Sequence, residues 1–99
     1  MNPTELFNLS GKVAIITGGG NGIGEACSRM LANYGAAVVI ADLKLADAQK
    51  LADDIIANGG KAMAAECNVL KDEDLVALVE RAVAEFSGIH IMVNNAGGG

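Results

Sequence analysis

The sequence predicts a doubly wound parallel α/β sheet with its elements in the order βαβαβαβ. Three observations carry that prediction. Short apolar runs rich in β-branched residues, such as Val13-Ala14-Ile15-Ile16, alternate with longer segments whose apolar residues recur at three and four. The run Ala36-Ala37-Val38-Val39-Ile40-Ala41 is evenly apolar, which suits a strand covered on both faces. The segments between such runs are long enough for right-handed crossovers.

Taken in order, residues 3–12 are a lead-in, with Phe7 and Leu9 as anchors and Ser10-Gly11 as a turn. The first strand, Val13 to Ile16, is too short for a helix. A helical pattern follows, placing Ile23, Cys27, Met30, Leu31 and Tyr34 on its apolar side, and Gly35 is suited to cap it. The second strand runs over residues 36–41 and is closed by Asp42. In the second helix Ala48, Leu51, Ala52, Ile55 and Ile56 point inward and Asp47, Lys50, Asp53 and Asp54 outward, until Asn58-Gly59-Gly60 stops it. Residues 61–66 are less apolar, as an outer strand would be. Asp72, Glu73 and Asp74 open the third helix, where negative charge favours the dipole. Its buried stripe reads Leu75, Leu78, Val79, Ala82, Val83 and Phe86, Ser87-Gly88 breaks it, and residues 89–93 form a fourth strand.

Ninety-nine residues make one domain at most, with no internal repeat beyond this alternation. No apolar run approaches the ~20 residues of a membrane span. The amino terminus lacks a basic region followed by an apolar stretch, so no secretory signal is expected. The net charge of -5 argues against nucleic acid and anionic membranes as partners. Cys27 and Cys67 are too few and too far apart for a disulfide scaffold or a zinc site, and no metal site is expected. Both read as small buried thiols of a reducing compartment, and the cytoplasm is the expected location.

Between the first strand and the first helix stands Thr17-Gly18-Gly19-Gly20-Asn21-Gly22-Ile23-Gly24. The first turn of a helix presents unpaired N–H groups and the positive end of the macrodipole, which attract phosphate. Glycine lets a diphosphate approach main chain that a Cβ would shield. A literal G-x-G-x-x-G is absent, and no Lys-Ser or Lys-Thr pair closes a P-loop. The pattern is T-G-x-x-x-G-x-G, with Gly18, Gly22 and Gly24 in the defining places. It predicts a dinucleotide diphosphate at this turn. Asp42 then stands where a carboxylate can accept from the adenosine ribose hydroxyls. A 2′-phosphate there would meet like charge, a repulsion of about 1 kcal/mol in water and about 4 kcal/mol at intermediate dielectric for charges ~4 Å apart. No Arg or Lys lies in the glycine turn to offset it, although Lys44 is near in sequence. NAD is therefore predicted over NADP. A methyltransferase would also place a glycine turn and an acid here, but it binds a cofactor without a pyrophosphate.

Asn94-Asn95-Ala96-Gly97 follows the fourth strand. With T-G-x-x-x-G-x-G, the acid ending the second strand and the lead-in Leu9-x-Gly11-Lys12-x-Ala14-x-Ile16-Thr17-Gly18, this resembles the short-chain dehydrogenase/reductase family over nearly the whole chain. Within it, Asn95 to Gly99 and the surroundings of Asp42 look most like bacterial NAD-dependent 7α-hydroxysteroid dehydrogenases. The resemblance implies a Rossmann-type sheet, an alcohol or ketone substrate, and a homo-oligomeric parent. It implies that Gly18, Asn21, Gly22, Ile23 and Gly24 form the diphosphate turn, that Asp42 holds the adenine ribose, and that Leu43 lies against the adenine end. Asn68 and Val69 would flank the adenine ring, with Asn68 standing where the family commonly has Asp. Asn95, Ala96 and Gly97 would line the nicotinamide-side ribose, while Asn94 would tie the central strands. His90 also replaces a common Asp and reads as a packed or edge residue.

Ketone reduction needs a proton donor at the developing alkoxide. In the family that is a Tyr in a Tyr-x-x-x-Lys pair, helped by a Ser and an Asn. Here the one tyrosine is Tyr34, with Val38 four residues on, and no serine has a base within reach. No catalytic residue is therefore assigned. The expectation is a partial NAD-binding domain over residues 1–99, the cofactor half of an NAD-dependent oxidoreductase; the alternative is a non-catalytic dinucleotide-binding module. If the sheet ends at the fourth strand, that strand's edge is open.

Overall fold

The computed structural model describes residues 8–20 and 22–95. The elements are β1 (Val13–Thr17), α1 (Gly22–Asn33), β2 (Ala37–Asp42), α2 (Leu45–Ala57), β3 (Lys61–Glu66), α3 (Asp72–Phe86) and β4 (Ile91–Asn94). The four strands form one sheet in the order β3-β2-β1-β4, every pairing parallel. This is an incomplete Rossmann-like sheet, as the alternation of strand and helix patterns predicts.

Side chains on a strand alternate between faces, and both faces of β1 and β2 are covered. On one face Ala14, Ile16, Val38 and Ile40 meet Ala48, Leu51, Ala52 and Ile55 of α2, with Leu31 and Ala32 of α1 beside them. On the other, Val13, Ile15, Val39 and Ala41 meet Leu78 and Ala82 of α3. Every residue of β1 is buried, and so is β2 up to Ala41. β3 lies at the edge and buries Ala64 and Ala65, in keeping with its thinner pattern.

Three expectations about helix faces need correction. In α1 the residues buried against the sheet are Gly24 and Ser28, whereas Ile23 and Met30 are exposed. The reason is distance. A helix that follows a tight turn runs close to the strands, and only small residues fit between; Ser28 satisfies its hydroxyl by donating to the Gly24 carbonyl at 2.8 Å. In α2, Ile56 is exposed. In α3, Leu78 and Ala82 are buried, but Val79 and Val83 are exposed. α3 is the one helix on its face among the described residues, so the flanks of its stripe have no neighbour to meet.

The helices end at the expected stops. Gly35 does turn the chain at φ +102° after α1, its N–H donating to Ala32 O at 3.0 Å. After α3 the left-handed residue is Ser87, at φ 69°, so the helix stops at Ser87-Gly88 as expected. Of the two expected lead-in anchors, Leu9 is half-buried and packs against the first core cluster, while Phe7 lies outside the described residues. Among the described residues no helix is long and apolar enough to cross a membrane. No group of three or more metal-ligating side chains occurs among them either.

Candidate functional site

In a parallel sheet all carboxyl ends lie at one edge. Register pairs Thr17 with Ala41 and with Asn94, and Asp42 with Glu66, so the turns after β1, β2, β3 and β4 emerge side by side. The chain leaves β1 toward β2 on one side and returns to β4 on the other. The crevice between them is a topological switch point, where open α/β sheets receive ligands.

The glycine turn sits in this crevice. Gly18 adopts φ +63° and Gly22 φ +59°, conformations that strain any side chain. Gly24 is needed for space: a Cβ there would lie 2.8 Å from the Gly18 carbonyl carbon and from Gly19 Cα, and nearer still to the Gly18 oxygen. α1 begins at Gly22, and Gly22 and Ile23 are exposed. The turn is pinned from below, where Gly19 N donates to Ala41 O at 3.2 Å.

Asp42, at the end of β2, reaches this turn. Its Oδ2 accepts from Gly20 N at 3.1 Å and its Oδ1 from Lys44 N at 3.0 Å. Lys44 thus meets the carboxylate through its backbone. Each carboxylate oxygen retains a further acceptor position, so two donors from outside can still be received. Leu43, next to it, is 66 % exposed and offers an apolar surface at the rim.

Asn68 and Val69 follow β3 at the same edge, where Cys67 N donates to Asp42 O at 3.0 Å. Asn68 Oδ1 already accepts from Leu70 N at 3.0 Å, and Asn68 N donates to Asp74 Oδ2 at 2.9 Å. The Asn68 side-chain oxygen is thus engaged in the local turn, with one acceptor position left for a group outside it. Val69 packs against the second core cluster. Cys67 is buried, and burial first, then the charge of Asp74, pushes its thiol pKa up; Cys27 is half-buried.

At β4 the tie between strands belongs to Asn95, not to Asn94 as expected. Asn95 N donates to Thr17 Oγ1 at 3.1 Å and Asn95 Nδ2 to Gly18 O at 3.2 Å. Thr17 Oγ1 in turn donates to Val93 O at 3.3 Å. Asn94, exposed in β4, alternates away from that contact. Asn21, Ala96 and Gly97, also assigned to the site by sequence, lie outside the described residues.

Sequence reasoning missed one participant. Thr17 was read as the first letter of a motif, yet it is 1 % exposed and links β1 to β4. His90 fastens the other end of the same pair: His90 N donates to Val13 O at 2.9 Å, and Nδ1 accepts from Val13 N at 3.0 Å. It is an edge residue with a structural contact, and the place of a common carboxylate was the available signal. A cleft beside the turn, between α1 and α2, is lined by Gly20, Glu25, Arg29, Asp47, Lys50, Leu51, Asp53 and Asp54. Carboxylates outnumber cations there, and Arg29 is committed to Glu25 and Asp54, whose hydrogen bonds raise its pKa. It does not suit phosphate.

A parallel α/β sheet with a glycine turn and a helix start at its switch point defines an incomplete Rossmann-like fold. The sequence pattern of the short chain dehydrogenase family matches residues 12–99, and the chain belongs to that family, whose members use nicotinamide cofactors. It is 48 % identical over 89 residues to a cyclohexanol dehydrogenase of Acinetobacter sp. (strain SE19), covering 90 % of this chain and 36 % of that protein. It is 42 % identical over 96 residues to the 7α-hydroxysteroid dehydrogenase of Escherichia coli (strain K12), covering 97 % of this chain and 38 % of that one. A crystal structure of hydroxysteroid dehydrogenase from Escherichia coli superposes with a TM-score of 0.91 at 40 % identity, covering 98 % of this chain and 41 % of the other. The chain thus spans about two fifths of the length of these relatives.

Proposed function

We propose that this chain is the NAD-binding part of an NAD-dependent oxidoreductase that transfers hydride between an alcohol or ketone and the nicotinamide, with a hydroxysteroid as the favoured substrate class. The observation that carries the choice of NAD is the Asp42 carboxylate, held by the Gly20 and Lys44 N–H groups beside the diphosphate turn. In this reading Gly18, Asn21, Gly22, Ile23 and Gly24 form the diphosphate turn, with backbone amides as the main donors, while the Gly19 and Gly20 amides are kept by Ala41 O and Asp42. Asp42 accepts from the adenosine ribose, Leu43, Asn68 and Val69 border the adenine, and Asn95, Ala96 and Gly97 line the nicotinamide side. The hydroxysteroid preference rests on the likeness to the Escherichia coli enzyme, and the cyclohexanol dehydrogenase supports the broader alcohol class. The cytoplasm and a homo-oligomeric parent belong to the same proposal.

A second reading, a dinucleotide-binding module without catalysis of its own, draws on the position of Tyr34. This one tyrosine of the chain follows α1 near the amino end of β2, opposite the carboxyl edge that carries the glycine turn. The segment then supplies nucleotide binding and leaves proton transfer to other residues. Calorimetry with NAD and NADP tests the common core of both readings. NAD is expected to bind more tightly, and Asp42→Ala to reduce that preference by about tenfold, the equivalent of ~1.4 kcal/mol. Equal affinity for the two nucleotides in the unsubstituted chain would refute the NAD assignment. Steady-state oxidation of hydroxysteroids and of simple cyclic alcohols by the full-length parent separates the substrate classes.

A further inference from the structure

Gly20 is not one of the three glycines that define the motif, and nothing in its backbone calls for glycine. The positive-φ glycines are Gly11, Gly18, Gly22, Gly35 and Gly59, so Gly20 lies in a region open to any L residue. What it lacks is room. A Cβ on Gly20 would lie 2.9 Å from Asp42 Oδ2, 3.0 Å from Asp47 Cβ and 3.1 Å from Ala48 N. The last two belong to the start of α2, a helix whose Ala48, Leu51, Ala52 and Ile55 are anchored in the core. The first is the free end of a side chain. Of the three neighbours the carboxylate is the one that can move at low cost, by rotating away from the turn.

We propose that Gly20 is a positioning residue for nucleotide specificity: its missing side chain leaves the space in which the Asp42 carboxylate folds back onto the Gly20 N–H. That bond, at 3.1 Å, and the one from Lys44 N, at 3.0 Å, fix both carboxylate oxygens. A carboxylate held by two backbone donors is oriented before the ribose arrives, and binding need not order it. A methyl group at position 20 turns the carboxylate outward, so the charge remains nearby but its orientation is lost. The inference rests on the proposal that Asp42 receives the adenosine ribose.

The test compares NAD and NADP affinities by calorimetry in the full chain, in Gly20→Ala, in Asp42→Ala and in the double variant. Gly20→Ala is expected to weaken NAD binding by about tenfold while changing NADP binding far less, which lowers the preference as Asp42→Ala does. Because both act through one contact, the double variant should lose little beyond Asp42→Ala alone. A general loosening of the turn would weaken both nucleotides equally and leave their ratio unchanged. If Asp42→Ala lowers the preference and Gly20→Ala keeps it, the ribose assignment stands and the role of Gly20 is refuted. If Asp42→Ala leaves the preference intact, the ribose assignment itself fails and Gly20 falls with it. Should Gly20→Ala not fold, amide exchange decides the matter in Asp42→Ala. The Gly20 N–H should then exchange at least about tenfold faster, while the Gly19 N–H, bonded to Ala41 O at 3.2 Å, stays protected. An unchanged Gly20 rate would refute the proposal.

Discussion

Replacing Gly24 by alanine sets two effects of opposite sign against each other. Gly24 lies within the first turn of α1 and is buried. In an ordinary helix interior the change from glycine to alanine stabilises by about 1 kcal/mol. Here the added methyl would stand 2.8 Å from two backbone carbons of the glycine turn and still nearer to the Gly18 oxygen. Non-bonded carbons settle at about 3.5–4.0 Å, so turn and helix must part by roughly 1 Å. No rotamer relieves the contact, because every atom it meets is main chain. The turn is also fastened to Ala41 O through Gly19 N and to Asn95 Nδ2 through Gly18 O. Overpacking of this kind costs about 1–3 kcal/mol, and the rigidity of the turn puts it at the upper end. The net expectation is a loss of about 2 kcal/mol, which for a domain of this size lowers Tm by ~8–16 °C. Thermal unfolding followed by far-UV circular dichroism measures it, and calorimetry should show NAD affinity falling in parallel as the N–H groups of α1 shift. A Gly24→Ala chain that melts at or above the original temperature would mean that helix propensity wins, and would refute the close approach of α1 to the turn.

Other perturbations follow from contacts that span the chain. Thr17→Val removes the hydroxyl that donates to Val93 O and accepts from Asn95 N, and should cost about 1–3 kcal/mol by chemical denaturation. Thr17→Ser should retain most of that stability, and equal losses in the two variants would contradict the assignment. His90→Ala takes away the acceptor for Val13 N and should cost about 1 kcal/mol, whereas His90→Asp, which keeps an acceptor, should cost less. If the aspartate variant is the weaker of the two, the clasp at the start of β1 is not made by an acceptor at this position. The raised pKa of Cys67 makes a prediction at alkaline pH. The folded chain holds this proton more tightly than the unfolded one, so the stabilisation is complete below the ordinary thiol pKa of about 8.5 and is lost as pH rises through the folded value. Denaturation midpoints measured upward from pH 8 should fall, and Cys67→Ala should flatten that fall; an identical slope in the variant would exclude the thiol as its source.

What depends on neighbours along the chain was legible in the residues alone. The alternation of short apolar runs with three-and-four periodicity yields the four strands and three helices, with β3 over the same residues, 61–66, in sequence and structure. Glycine chemistry marks the turn after β1, and Asp42 is the last residue of β2 as read. Family membership was legible for the same reason, since T-G-x-x-x-G-x-G and Asn94-Asn95-Ala96-Gly97 are local patterns in fixed order. Which residues meet once those elements pack follows from the packing and not from local pattern. Hydrophobic periodicity reads bulk, so it turned Ile23 and Met30 inward; the nearness of α1 to the sheet admits Gly24 and Ser28 instead. The ties from Thr17 to Val93 and Asn95, and from His90 to Val13, join positions more than 70 residues apart. They exist because β4 pairs with β1 in one particular register. The fold of the Asp42 carboxylate onto Gly20 likewise needs the end of β2 and the turn after β1 at one edge of a parallel sheet. Local pattern fixes what each segment becomes, but a hydrogen bond only a few ångströms long depends on how separate segments are brought together.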